Sequence, residues 1–264
     1  MSLIEANLQG VNALINAAIE GREATKKLIF SPSVTLVAVS KTKPLANIME
    51  AYAAGQRNFG ENYVQEAVEK IVASRAVFNA PLTDAPLLLV NMPIQWHLVG
   101  PLQSNKAKLA ALHFDWVHTV DRLKIAEALN THRSANLKKL NVLIQVNISA
   151  ETNKHGVAVE QLSALAAEIM KLPMLTCRGL MAIIEDSRDT TKLGEQFKQM
   201  WSLFSKLRTQ TKTQYANFDT LSMGMSQDFQ QAIDEGATMI RVGSAIFGSR
   251  DASNSSSSTS SPSN

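Results

Sequence analysis

Three short segments combine residue types able to do chemistry. Ser222-Met223-Gly224-Met225-Ser226 sets two hydroxyls around a glycine, and Gly243-Ser244 pairs a glycine with a third hydroxyl. Each is read as opening a helix, so each offers hydroxyl donors, close backbone approach and the free N–H groups of a helix N-terminus. That combination binds anions. Taken singly, each is also an ordinary glycine turn with a serine N-cap; together they point to an anion site. Lys41 follows the apolar run Val34-Thr35-Leu36-Val37-Ala38-Val39. A lysine at the end of a buried strand can be desolvated, which frees its amine for Schiff-base chemistry. A surface lysine that merely follows a strand is the plain alternative.

The elements that must position these residues recur along the chain. Val34–Val39 is too continuous for a half-exposed strand and suits a parallel strand covered on both faces. Strands are expected at Arg57–Phe59, Trp96–Val99, Asp115–Thr119, Val142–Ile148, within Leu175–Ile183, at Asp219–Leu221 and at Met239–Val242. Helical patterns follow them: Leu45–Ala54, Glu61–Ser74, Ser104–Leu112, Arg122–Thr131, Val159–Lys171, Thr190–Thr209, Gln227–Glu235 and a short turn from Ala245. A leading amphipathic helix runs from Ser2 to about Ile29, with Leu3, Val11, Leu14, Ile15, Ala18 and Ile19 as its apolar face. Eight strand–helix units predict an α/β fold, a single (β/α)8 TIM-type barrel with an extra N-terminal helix. A doubly wound open sheet is the alternative, weakened by the lack of G-x-G-x-x-G after the first strand. In such barrels the site lies at the carboxyl ends of the strands, and the phosphate site is often built from the loops after strands 7 and 8. Lys41 and the two serine–glycine loops fall there. An amine facing a phosphate site fits an aldehyde-bearing phosphate, and pyridoxal phosphate has both ends.

Composition bounds the rest. The 264 residues carry 26 basic and 23 acidic side chains, a net charge of +3, and are 45% hydrophobic. This excludes a mainly disordered chain. The basic residues are scattered, so no nucleic-acid partner is expected. The lone Cys177 forms no internal disulfide and suits a reducing compartment. The first residues do not read as a signal peptide, and no segment approaches the roughly 18 apolar residues of a membrane span. A cytoplasmic protein with no membrane association is expected. Residues 1–250 form the expected barrel domain. Residues 77–95 form a proline-containing surface excursion. Residues 251–264, with eight serines, form a disordered tail.

Longer motifs carry a resemblance. Val37–Pro44, Phe59–Glu66, Trp96–Lys106, Arg178–Met181, Leu221–Ser226 and Arg241–Gly248 resemble the pyridoxal phosphate homeostasis family over about Leu3 to Arg250. The resemblance implies a fold like the N-terminal barrel of alanine racemase. It implies pyridoxal 5'-phosphate held as a Schiff base on Lys41. It implies that Ser222, Ser226, Gly243 and Ser244 surround the phosphate, with Gly224 in the same loop. Arg241 then faces the pyridine nitrogen, and Asn62, His97 and Met181 are pocket residues.

Arginine stays protonated, so Arg241 donates to the ring nitrogen and hardly gives it a proton. The ring is then a weaker electron sink, although racemases tolerate this arrangement. A racemase needs a base on each face. In alanine racemases the second comes from another domain, for which the barrel and tail leave no room here. Tyr63 and His97 are the candidates to stand in, but each is read first as a packing or hydrogen-bonding residue. His118 and His155 are read as surface or loop residues, and Cys177 as a small core residue. No metal-ligand spacing occurs. The expectation is a monomeric cofactor-holding protein of vitamin B6 and amino-acid homeostasis, passing the cofactor to pyridoxal phosphate-dependent apoenzymes. A racemase-like enzyme and a cofactor-free Schiff-base aldolase are the alternatives.

Overall fold

A computed structural model describes residues 1–22, 33–79, 93–149, 155–184, 190–210 and 217–248. The serine-rich tail, most of the 77–95 excursion and the end of the expected leading helix lie outside the described residues. The strands β1 (Thr35–Val39), β2 (Asn58–Glu61), β3 (Gln95–Leu98), β4 (Trp116–Val120), β5 (Leu140–Gln145), β6 (Leu175–Met181), β7 (Thr220–Ser222) and β8 (Met239–Val242) pair in that order. All pairings are parallel, and β8 closes on β1 through Thr35↔Met239, Leu36↔Ile240, Val37↔Arg241 and Ala38↔Val242. The open-sheet alternative is excluded by this closure.

The helices are α1 (Leu3–Gly21), α2 (Leu45–Ala53), α3 (Val64–Asn79), α4 (Ala107–His113), α5 (Leu123–His132), α6 (Leu162–Ile169), α7 (Thr190–Gln210), α8 (Phe229–Asp234) and α9 (Ser244–Phe247). Side chains alternate along each strand, so a barrel strand feeds two cores. Leu36, Ala38, Phe59, Leu98, Val117, Ile144, Leu221 and Ile240 join the large core between strands and helices. Val37, Val99, Trp116, Leu143, Met181 and Met239 form a second, smaller cluster with Val39 packed on it. The smaller cluster fills the barrel.

Strand boundaries shift in ways that matter for the site. The second strand runs on to Glu61, two residues past the expected Phe59, so Glu61 is a strand residue and the next helix starts at Val64. The seventh runs to Ser222, which puts that serine in the barrel wall rather than in the loop.

The first helix begins with a capping box, Ser2 Oγ accepting from the Glu5 N–H and Glu5 from the Ser2 N–H. It buries Ile4, Leu8, Val11, Ile15 and Ala18. Val11, Ile15, Ala18 and Ile19 lie on the expected face, whereas Leu3 is 76% and Leu14 45% exposed, and Ile4 and Leu8 complete the buried stripe in their place. Asn7 Nδ2 donates to the Ile246 carbonyl in α9 (2.9 Å). The Arg22 guanidinium donates to the carbonyls of Ile233 (3.0 Å) and Ala237 (2.8 Å). The leading helix is therefore fastened to the segments that flank β8.

Gly179 has φ +147, and a Cβ there would stand 1.8 Å from the Thr220 carbonyl oxygen. Both the conformation and the close approach of β7 to β6 demand glycine. Gly179→Ala is expected to cost about 3 kcal/mol or more, read as a lower midpoint in urea unfolding; an unchanged midpoint would show that the two strands can part without cost.

Candidate functional site

A cavity of about 520 Å³ opens at the carboxyl ends of the strands. Its wall includes Lys41, Asn62, Ser226, Arg241, Gly243 and Ser244, with Val39, Val99, Ile183 and Phe247 as apolar surface. Six of the residues singled out from sequence thus share one wall. Gly224, His97, Met181 and Ser222 are not part of that wall.

Lys41 sits in a turn built from both sides. Ser40 is buried, its N–H donating to the Gly60 carbonyl (2.9 Å) and its hydroxyl to Glu61 Oε1 (2.6 Å). Lys70 Nζ donates to the Ser40 carbonyl (2.9 Å), to Glu61 Oε1 (2.9 Å) and to Glu66 Oε1 (2.7 Å). On the other side, Thr42 has φ 63, left-handed backbone that a β-branched residue rarely adopts. Such a conformation costs on the order of 1–3 kcal/mol and persists only where neighbours over-determine it. Here the Thr42 N–H donates to Glu66 Oε1 (2.7 Å) and the Lys43 N–H to the Ser40 carbonyl (3.0 Å). Burial pushes the Glu61 carboxyl above its ordinary range, and Lys70 opposes that rise. Glu66 and Lys70, four apart on α3, were the sequence signal for this support and went unread.

The opposite end joins the loops after β7 and β8. Ser226 Oγ accepts from the Gly243 N–H (3.4 Å) and from the Ser244 hydroxyl (3.2 Å). Gly224 shapes this loop from behind: its φ is +93, and a Cβ would stand 2.6 Å from the Ala232 Cβ. Its carbonyl accepts from the Arg241 N–H (3.0 Å). The expected opening of a helix at Ser226 is corrected, because Ser226, Gln227 and Asp228 form a turn and α8 starts at Phe229. Asp228 instead holds the loop, its Oδ1 accepting from the Met225 N–H (2.5 Å).

Arg241 is 5% exposed, yet it forms part of the cavity wall. Nη1 donates to Ser222 Oγ (2.7 Å) and Nη2 to the Ala182 carbonyl (2.9 Å). Burial lowers its pKa to about 10, with Asp228 opposing, so it stays charged at neutral pH. Ser222 Oγ also meets His118 Nδ1 (3.3 Å), His118 Nε2 meets His97 Nδ1 (2.9 Å), and His97 Nε2 meets Asn58 Oδ1 (3.0 Å). The expectation that His118 is a surface or loop residue is overturned: it is fully buried. Its strand alternates Trp116 and His118 inward, so the same periodicity that buries Trp116 buries the histidine. Tyr63, read as packing, is 57% exposed. Cys177 is buried, its thiol pushed up to about 12 by desolvation. His155 is exposed, as read. Among the described residues no cluster of metal-ligating side chains occurs, and no helix is long and apolar enough to cross a membrane.

Known proteins resemble this chain in sequence and in fold. Residues 22–251 match the family described as alanine racemase, N-terminal domain. The pyridoxal phosphate homeostasis protein of Escherichia coli K12 is 48% identical over 251 residues, spanning 95% of this chain and 98% of that one. The chain belongs to the pyridoxal phosphate homeostasis family. The homologue in Pasteurella multocida is 46% identical over 248 residues, 94% of this chain and 98% of that protein. Among solved structures, PipY of Synechococcus elongatus PCC7942, determined with PLP bound, superposes with a TM-score of 0.70 at 38% identity, covering 87% of this chain and all of that one. Alanine racemase of Corynebacterium glutamicum shares the fold at 14% identity and a TM-score of 0.57, covering 90% of this chain and 62% of that one. The sequence resemblance to this family and the barrel expectation both hold.

The two interior histidines give this barrel an acid-sensitive centre. Desolvation lowers His97 to about 3 and His118 well below its ordinary 6.5. Above pH 6.5 neither folded nor unfolded imidazole carries a proton. As pH falls from 6.5 toward 3, only the unfolded rings take protons up, so stability is lost. The loss is roughly 1.6 kcal/mol for His97 between pH 6.5 and 5, and His118 acts in the same direction. Urea unfolding across that range is expected to show it, with His118→Asn flattening the slope; an equally steep slope in that variant would place the acid sensitivity elsewhere.

Proposed function

We propose that this chain binds pyridoxal 5'-phosphate in the cavity described and serves in vitamin B6 and amino-acid homeostasis without catalysing a reaction of its own. The observation that carries the reading is the convergence of Lys41, Arg241 and the paired Ser226–Gly243–Ser244 loops on one wall. The donor set fits the group. When bound, pyridoxal phosphate supplies an aldehyde that condenses with a primary amine, and Lys41 supplies that amine. Ser226, Gly243 and Ser244 supply hydroxyl and backbone donors for a phosphate. Arg241 supplies a fixed positive charge and N–H donors for the ring nitrogen, and Asn62 a polar side chain on the same wall. The relatives named for this role, and the PLP-bound PipY structure, support the assignment.

Placement of the polar side chains supports a holding role. Reversible proton transfer at an amino-acid Cα calls for a base on each side of it. Among the described residues, the titratable groups on the cavity wall besides Lys41 are Lys43, Asp228 and Arg241. Asp228 is engaged by the Met225 N–H, and Arg241 stays protonated. His97 is buried and neutral, and Tyr63 lies outside the cavity wall. On this reading the barrel, residues 1–250, works as one cytoplasmic, monomeric unit that releases the cofactor to apoenzymes.

The purified chain is expected to absorb in the visible after addition of pyridoxal phosphate. Borohydride should bleach the band and leave the label on Lys41, and Lys41→Ala should abolish it. A panel of amino acids in deuterated water is expected to show no Cα exchange; exchange that is lost in Lys41→Ala would replace the holding role with a racemase-like one. For the phosphate loops, Ser226→Ala combined with Gly243→Asp sets a carboxylate where the phosphate sits. Cofactor retention in that double variant should fall at least about tenfold, and retention equal to wild type would move the phosphate elsewhere.

A further inference from the structure

Asn58, His97, His118 and Ser222 are set inside the barrel, and none of them belongs to the cavity wall. Their polar atoms form one continuous line. It runs from Asn58, the first residue of β2, across β3 and β4 to Ser222 at the end of β7 and then to Arg241.

The direction of every proton in that line follows from its end. Arginine has donors only, so Ser222 Oγ accepts from Arg241 Nη1 at 2.7 Å. The one proton of Ser222 is left for His118 Nδ1, which must then be bare. His118, being neutral, carries its proton on Nε2 and donates to His97 Nδ1. His97 therefore carries its proton on Nε2 and donates to Asn58 Oδ1. The reversed line would aim both Arg241 and a His118 Nδ1–H at Ser222 Oγ. The serine proton would then have no acceptor among the described residues. Burial of both rings favours neutral imidazoles, each with one proton. The His97 ring is also clamped, stacked on Trp116 at 5.3 Å between centroids.

We propose that His118, His97 and Asn58 are positioning residues for Arg241: they hold Ser222 in the one orientation that accepts from the guanidinium, and so aim its remaining N–H groups at the ring nitrogen of a bound pyridine ligand. The inference rests on the cofactor reading above and assigns roles to residues outside the cavity. It also gives Ser222 a different task from contact with the phosphate, since its hydroxyl is engaged on both sides inside the barrel.

Two measurements test it. Nitrogen-15 spectra of the ligand-free wild-type chain should show both His97 and His118 as neutral Nε2–H tautomers; an Nδ1–H form of either ring overturns the proton order. The second compares binding of pyridoxal phosphate with its 1-deaza analogue, in which the ring nitrogen is a C–H. The wild-type chain should prefer pyridoxal phosphate by about tenfold or more, the worth of a charge-assisted hydrogen bond. In Ser222→Ala and His118→Phe the preference should shrink to about threefold or less, through weaker binding of pyridoxal phosphate and little change for the analogue. His118→Asn, which keeps an acceptor for Ser222, should restore most of it. A preference unchanged in His118→Phe overturns the positioning role, as does equal weakening of both compounds. If the wild-type chain binds neither compound, the cofactor reading itself falls, and the tautomers still report on the proton order. Should His118→Phe fail to fold, His118→Asn and the wild-type spectra carry the decision.

Discussion

Lys41 and Arg241 lie far apart along the chain, and they share one cavity because β8 hydrogen-bonds to β1. That one pairing, in the register Val37↔Arg241, turns a row of strands into a ring. Parallel strands have no free edges once closed, and every loop at the carboxyl end then faces a common mouth. The lysine turn after β1 and the serine–glycine loop after β8 become neighbours through this closure. The lining of the cavity is thus a property of the ring and of no single βα unit.

Burying an arginine inside such a ring is costly unless its donors are satisfied. The solution here is distributed. A serine and a main-chain carbonyl meet the guanidinium, and two histidines and an asparagine complete the serine's bonding. At the other side of the mouth, strain at Thr42 is held by a glutamate that also pairs with Lys70. The two halves use opposite strategies. One immobilises a charge with neutral partners, and the other fixes a backbone turn with ion pairs.

Much of this was legible in the residues. Continuous apolar runs such as Val34–Val39 can be covered only on both faces, which led to the parallel barrel. The placement of Ser226, Gly243, Ser244 and Lys41 on one wall followed from strand order alone. Three things were not legible. The ends of β2 and β7 lie at glycine- and serine-containing segments where propensity is flat, so the inward side of Ser222 was hidden. Two members of the α1 face, Leu3 and Leu14, are apolar but exposed, and apolar side chains on a surface are common. His118 was misjudged because a polar residue in a β-branched strand reads as outward until its bonding partners are known. Those partners, Ser222 and His97, come from strands distant in sequence.

The fastening of α1 has a consequence for how the molecule comes into being. Asn7 and Arg22 reach carbonyls at Ile246, Ile233 and Ala237, contacts of very high sequence separation. A chain emerging from the ribosome N-terminus first can set its leading helix against α2 early, but the carbonyls that anchor Asn7 and Arg22 come only with the segments around β8. The last strand then arrives together with the seat for the first helix. Ring closure, anchoring of the leading helix and completion of the mouth all depend on that last strand. A nascent chain therefore offers no half-built cavity to the free ligand pool.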